Sequence, residues 1–438
     1  MYRPLTYLVL FFLSYEPCLA QTESAITSSQ PCIAVQTSLD ANVKARIETL
    51  NKRAADIKSS ITNAQLESLE RSTLEKQLVE VQEQLLTLLF EQECARSDFK
   101  IQVLRGPSDP PPAWVDIATF FATNRKPTGN GTLDTYFGPD RQQTLQYGKV
   151  VVSIPTNRKP GDLNLPKMWK LEFSPDPRKH FVLKDIVSIS SDGIQHELES
   201  YLASSTKRSL LIFVHGYNVG FSDAALRSAQ LAHDLAFQGA TLFFSWPSAA
   251  TARGYWHDEE AVQLSEAAFD EFLDRIDSFG SDDIFLIAHS MGNRLVTTVL
   301  ANRIARGKPT PHVREILLAA PDINSELFQE KIAPVIAGID THRTIYASSS
   351  DVALRASKIV HDYRRVGETD GGVGIFPQFE TIDVSAAAPL IRSFGHSYVV
   401  DSADVIKDIA QTLTGQMGAD QRNLSRLGTP PNIWWTIK

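Results

Sequence analysis

The residues best placed to do chemistry are Ala288-His289-Ser290-Met291-Gly292. The apolar run Ile284 to Ile287 precedes them, and a helical pattern from Asn293 to Ile304 follows. Strand, sharp turn, helix is the setting in which a serine backbone is strained so that its Oγ projects above the edge of a sheet. Side chains two before and two after the serine must be small, so that neighbouring backbone can approach. Gly292 meets that need, and Ala288 stands where glycine is more usual. A nucleophilic serine needs a base, and the base needs an acid to orient it. His396, in Gly395-His396-Ser397-Tyr398, lies between the strand-like run Phe379 to Val384 and a helix beginning near Ser402. Its rival His361 lies inside the helical stretch Ala356 to Tyr363. For the acid, Asp351 follows the strand Arg343 to Ala347, and Asp322 follows the strand Glu315 to Ala319. Asp322 also reads as the cap of the helix that follows it.

These groups meet only if the chain brings their loops to one place. Short continuous apolar runs recur at Leu210 to Val214, Thr241 to Ser245, Ile284 to Ala288, Ile316 to Ala319 and Thr344 to Ala347. Amphipathic helices lie between them, at Ser222 to Phe237 and Asp258 to Phe279. Apolar strands alternating with helices predict a doubly wound, mostly parallel sheet covered on both faces. Right-handed crossovers then set every strand C-terminus on one edge, where ligands bind. The runs Val150 to Ile154 and Phe181 to Ile189 predict an antiparallel start to the sheet. Thr-Asn-Arg-Lys-Pro occurs at both Thr123 and Thr156, but the flanks differ, so it is read as coincidence.

The order of the motifs resembles one branch of the α/β-hydrolases, an esterase/lipase-like family of unknown function. The resemblance rests on Phe121-Ala122-Thr123-Asn124-Arg125, His215-Gly216-Tyr217-Asn218, Phe244-Ser245-Trp246-Pro247-Ser248 and His289-Ser290-Met291-Gly292. It continues through Leu318-Ala319-Ala320-Pro321-Asp322-Ile323, Ser350-Asp351-Val352-Ala353-Leu354 and Gly395-His396-Ser397-Tyr398, and spans about Val115 to Leu413. It implies the triad Ser290, Asp351, His396, in the Ser, acid, His chain order of that fold. It also implies an oxyanion hole built from the amides of Met291 and Tyr217, with Asn218 as second choice for the latter. The expected activity is that of a serine hydrolase cleaving small-molecule carboxylic esters through an acyl-enzyme. Peptidase, thioesterase and acyltransferase chemistry use the same machinery. The competing reading is an exported scaffold that works through its N-terminal helices, with an inactive or secondary hydrolase domain.

A chain of 438 residues has room for one large core and an accessory region. A net charge of -8 argues against nucleic-acid binding. No metal or nucleotide motif appears, so no cofactor is implied, and no run is long and apolar enough to span a bilayer. Arg3, the apolar run Leu5 to Ser14 and the small residues around Ala20 read as a signal peptide over residues 1–20, which predicts export to a periplasm or the medium. Over residues 21–105, Val43, Ile47, Leu50, Ala54, Ile57 and Ile61 form one heptad seam, and Leu74, Leu78, Val81, Leu85 and Leu88 a second, out of phase with it. A phase break near Thr62-Asn63 predicts an antiparallel, coiled-coil-like hairpin, the alternative being one long helix with a phase slip. Cys32 and Cys94 lie equally far from that turn, and their pairing would clamp its base. Such a hairpin offers a surface for self-association or a protein partner, or packs on its own hydrolase domain. Residues 106–112 read as a linker, 113–414 as the hydrolase domain and 415–438 as a tail, with Trp434 and Trp435 available to dock on the body.

Overall fold

A computed structural model describes residues 45–46, 48–57, 59–60, 73–74, 77–78, 80–81, 84, 113–165, 175–251, 253–387 and 398–437. Within it, strands that are buried on both faces gather into one sheet. Ser209–Val214 (β4) and Ala240–Ser245 (β5) are buried along their whole length, which is why they read as unbroken apolar runs rather than alternating ones. Around them lie Trp114–Pro127 (β1), Phe137–Pro155 (β2), Val182–Ile189 (β3), Asp283–His289 (β6), Val313–Ala319 (β7), His342–Ala347 (β8) and Glu380–Asp383 (β9). The order across the sheet is β3-β2-β1-β5-β4-β6-β7-β8-β9, and from β1 through β9 every neighbour is parallel. β1, β2 and β3 pair antiparallel at the start, as the sequence predicts.

Successive strand residues face opposite sides, so each strand feeds two cores. Leu210, Ile212 and Val214 join the core that takes in helices Ser191–Ser204 (α1), Glu266–Ile276 (α4) and Gly292–Ala305 (α5). Leu211 and Phe213 join the other, with Phe221–Asp234 (α2) and Ala403–Leu413 (α7). The helix expected over Asp258 to Phe279 is instead two, Tyr255–Leu264 (α3) and α4. The break is at buried Ser265, whose hydroxyl bonds back to the Ala261 carbonyl and accepts from Asn124 Nδ2 at 2.9 Å. Val352–His361 (α6) follows β8, and Asp351 caps it through Leu354 N–H at 2.9 Å.

The segment expected as a tail is not one. Leu424–Thr429 (β10) and Asn432–Ile437 (β11) form a hairpin, and β11 adds parallel to β9, extending the sheet to eleven strands. Its root is fixed by charge. The buried Arg422 guanidinium reaches Asp408 at 2.8 Å and Glu380 at 2.9 Å, and Glu380 also accepts the Ala419 amide. Trp435 packs on the second core and donates to Asp420 at 2.9 Å.

Further toward the N-terminus, the described residues within 45–60 and 73–84 are helical. Ala54, Ile57 and Val81 form one buried cluster with Leu50, Leu74 and Leu78 against it, and Leu50 also packs on the first sheet core. The expected signal peptide, the turn near residue 63, Cys32 and Cys94 lie outside the described residues. No described helix is long and apolar enough to cross a membrane.

Candidate active site

The turn between β6 and α5 carries the strain that its sequence predicts. Ser290 has φ +52, a left-handed conformation that costs a residue with a Cβ on the order of 1–3 kcal/mol. The surroundings over-determine it. Ser290 N–H donates to the Ala319 carbonyl at 2.9 Å, while its own carbonyl accepts from Asn293 N–H (3.1 Å), Asn293 Nδ2 (2.9 Å) and Asp322 N–H (3.3 Å). Glycine is required where backbone closes in: a Cβ on Gly292 would lie 2.3 Å from the His215 carbonyl oxygen. Met291 is buried at the start of α5.

That contact joins the Ser290 turn to the loop after β4. A Cβ on Gly216 would lie 2.6 Å from Ser290 Cβ, so Tyr217 begins immediately beside the serine. His215 is not a base here. Its ring stacks on Trp246 at 4.9 Å, and Nδ1 and Nε2 lie 2.8 and 3.1 Å from the Gly216 and Trp246 carbonyls. Burial first, and then the nearby Arg125 guanidinium, push its pKa down to about 3, so it stays neutral. Asn218, with φ +57, donates its N–H to Asp258 Oδ2 at 3.0 Å, which removes that amide from the choice of oxyanion donors.

Two buried charges hold this loop. Asp258 also accepts from Ser248 Oγ and Ala249 N–H, both at 2.6 Å. Arg125 donates to the Val219 carbonyl (2.8 Å), the Ser248 carbonyl (3.0 Å) and Ser245 Oγ (2.9 Å). Burial lowers the Arg125 pKa to about 9 even though Asp258 and Asp223 pull it back up. The motifs at Thr123 to Arg125, His215 to Asn218 and Phe244 to Ser248 are thus one cross-linked unit behind the loop after β4. Sequence reasoning gave Arg125, Trp246 and Ser248 no role and passed over Asp258. The first three stand in recognised motifs, but an aspartate in the first turn of a helix reads like any dipole-favoured acid.

The two candidate acids differ in their surroundings. Asp322 is saturated: Oδ1 meets Ser357 Oγ at 2.6 Å and Arg365 Nε at 3.2 Å, and Oδ2 meets Tyr255 Oη at 2.8 Å and Arg294 Nη2 at 3.1 Å. Burial alone would raise its pKa, but the two guanidiniums, with the hydroxyls, hold it far below the usual carboxylate range. The same arginines line a cavity of ≈ 200 Å³ with Leu295, Ile323 and Leu327. Asp351 is fully buried, four residues past the end of β8, at the same sheet edge as Ser290. His361, the rival base, is engaged elsewhere, with Nε2 2.7 Å from Glu259 and Nδ1 3.0 Å from the Ser357 carbonyl. His396 lies outside the described residues. The chain just after it is anchored on α2, where Gln230 Nε2 donates to the Val400 carbonyl at 2.8 Å and Arg227 pairs with Asp401 at 2.6 Å.

Residues 190–415, just over half of the chain, match the family described as "Alpha/beta hydrolase of unknown function (DUF900)". The chain belongs to this family. It is an α/β hydrolase by fold, with Ser290 at the strand-to-helix turn and His215-Gly216 after β4. Among solved structures it is similar to an esterase of Pyrobaculum calidifontis, at 12% identity and TM-score 0.31, covering 80% of this chain and 99% of that one. It is likewise similar to carboxyl esterase 2 of Tuber melanosporum, at 12% identity and TM-score 0.30, covering 71% and 88%. A third is the thioesterase RedJ of Streptomyces coelicolor, at 13% identity and TM-score 0.28, covering 48% and 87%. No curated protein matches the chain in sequence.

Proposed function

We propose that this α/β hydrolase is a serine esterase that acts after export and cleaves small carboxylic esters through an acyl-enzyme. Ser290 Oγ attacks the ester carbonyl while His396 takes its proton and Asp351 stabilises the imidazolium. The amides of Met291 and Tyr217 stabilise the oxyanion; such donors contribute about 3 kcal/mol each to lowering the barrier. The intermediate collapses as its C–O bond breaks, and His396 returns the proton to the departing alkoxide. Water, deprotonated by His396, then hydrolyses the acyl-serine and regenerates Ser290.

One observation carries this reading: a serine held at φ +52 between β6 and α5, with Gly216 against its Cβ. A strained backbone is kept only where the surroundings enforce it, and such strain clusters at functional sites. The saturation of Asp322 supports Asp351 as the acid, because all four contacts of the Asp322 carboxylate are already internal.

The test is covalent labelling by a fluorophosphonate together with turnover of acyl esters of increasing chain length. Ser290→Ala is expected to keep the fold and lose both, since removal of the nucleophile costs about 10⁶ in rate. Labelling that persists in Ser290→Ala would refute the assignment.

A further inference from the structure

We infer that Tyr255 is a positioning residue for the oxyanion loop, holding Tyr217 at a fixed distance from Ser290 through a buried charge cluster centred on Asp322. This rests on the serine-hydrolase reading and extends it to residues outside the triad. The geometry is a closed circuit. The Tyr255 ring packs edge-on to the Tyr217 ring, with centroids 5.2 Å apart and planes at 61°. Tyr217 follows Gly216, which is against the Ser290 Cβ. On the other side, Tyr255 Oη donates to Asp322 at 2.8 Å, accepts from Arg294 Nη2 at 2.9 Å and lies 2.9 Å from Ser357 Oγ. Asp322 closes the circuit, because its backbone N–H donates to the Ser290 carbonyl at 3.3 Å. One residue therefore holds both the nucleophile's backbone and the ring behind the oxyanion loop.

The anchor is stiff for a physical reason. Each polar partner of the Tyr255 hydroxyl is itself tied down: Arg294 to Glu259 at 2.5 Å and to the Asp322 carbonyl at 2.5 Å, and Ser357 to Asp322 at 2.6 Å. Phenylalanine would fill the same space but leave the ring free to slide along Tyr217. A buried hydroxyl with three polar neighbours is more than packing needs. A loop amide that must meet an oxyanion within hydrogen-bond distance gains from such a stop, because small misplacements cost large factors in rate.

The experiment uses the full chain and compares wild type, Tyr255→Phe and Ser357→Ala. For Tyr255→Phe, kcat and the fluorophosphonate labelling rate are expected to fall together by about tenfold with KM within about twofold, a split that a purely structural role does not give. Ser357→Ala, which removes one neighbour and keeps the tyrosine, is expected to fall about threefold in both, and it carries the test if Tyr255→Phe does not fold. Wild-type kcat in a folded Tyr255→Phe, or in Ser357→Ala where that variant carries the test, overturns the inference and leaves the hydrolase reading standing. A wild-type protein without Ser290-dependent labelling or turnover overturns both.

Discussion

Gly216 and Ser290 are in backbone-to-side-chain contact so close that a Cβ on the glycine would stand 2.6 Å from the serine's Cβ and 3.0 Å from the His289 carbonyl oxygen. The loop after β4 and the turn after β6 belong to neighbouring strands, with Val214 opposite Ala288, so any side chain at Gly216 must push them apart. Gly216→Ala is therefore expected to cost about 1–3 kcal/mol of stability from overpacking. Ester turnover should fall by more than tenfold in the fraction that remains folded, because the displaced loop includes Tyr217. Thermal melts and active-site titration of the purified variant check this, and a Gly216→Ala variant with wild-type turnover would contradict it.

The two aspartates should separate by experiment. Asp351→Asn keeps an acceptor for the Leu354 N–H that caps α6, so little stability is lost. As the triad acid it should lower turnover by about 10⁴, because the amide favours the wrong histidine tautomer. Asp322→Asn leaves the buried Arg365 without the Asp322 charge and Arg294 with Glu259 alone, and should cost about 3–5 kcal/mol, with the smaller effect on turnover per folded molecule. Denaturant unfolding beside kcat distinguishes them, and reversed effects would make Asp322 the acid.

How legible each element was follows from what buries it. β4, β5, β6, β7 and β8 stood out because helices cover both faces and the apolar run is unbroken. β10 and β11 did not, because their residues are mostly half-buried or exposed and Pro430-Pro431 separates them. What fixes them is Arg422 on Glu380 and Asp408, a pairing no local pattern encodes. At the site, the Ser290 turn was legible because small residues and strain leave a short local signature. Tyr255, Asp258 and Arg294 were not, since each also acts through a partner far along the chain: Tyr255 through Asp322, 67 residues away, Asp258 through Asn218, 40 away, and Arg294 through Asp322, 28 away. Three of the motifs that carry the family resemblance occur together because Arg125 reaches Ser245, Ser248 and Val219 at once.

The edge of the sheet opposite the active site makes its own prediction about pH. His342, on β8, hydrogen-bonds the Glu315 carboxylate on β7 and lies 3.1 Å from Glu380 on β9. Those two carboxylates raise its pKa from 6.5 to about 10. A group whose folded pKa is raised contributes stability that is fully present below its unfolded pKa and is lost as pH rises through the folded one. Stability is thus expected to decline between pH 6.5 and about 10. Melting temperatures of wild type and His342→Gln at pH 6, 8 and 10 should converge toward the alkaline end. A constant gap between them would show that the imidazolium contributes nothing.

The last prediction concerns the N-terminal helices. Leu50, Ala54 and Ile57 come from the first heptad seam and Leu74, Leu78 and Val81 from the second, and the six share one small cluster. A turn near residue 63, as the phase break between the seams predicts, would return the chain toward its starting point. Cys32 and Cys94 stand equally far from that turn in sequence. Export would carry the pair into a compartment where thiols oxidise. The expected outcome is one intramolecular Cys32–Cys94 disulfide, stabilising the helices by about 4 kcal/mol through loop closure. Cysteine is otherwise scarce, since Cys18 is the only other one and falls within the segment read as a signal peptide, so no competing partner remains after cleavage. Intact mass under non-reducing conditions, with and without alkylation, reads the bond directly. Two alkylated thiols in the exported protein would rule it out, and Cys32→Ser should then leave the melting temperature unchanged.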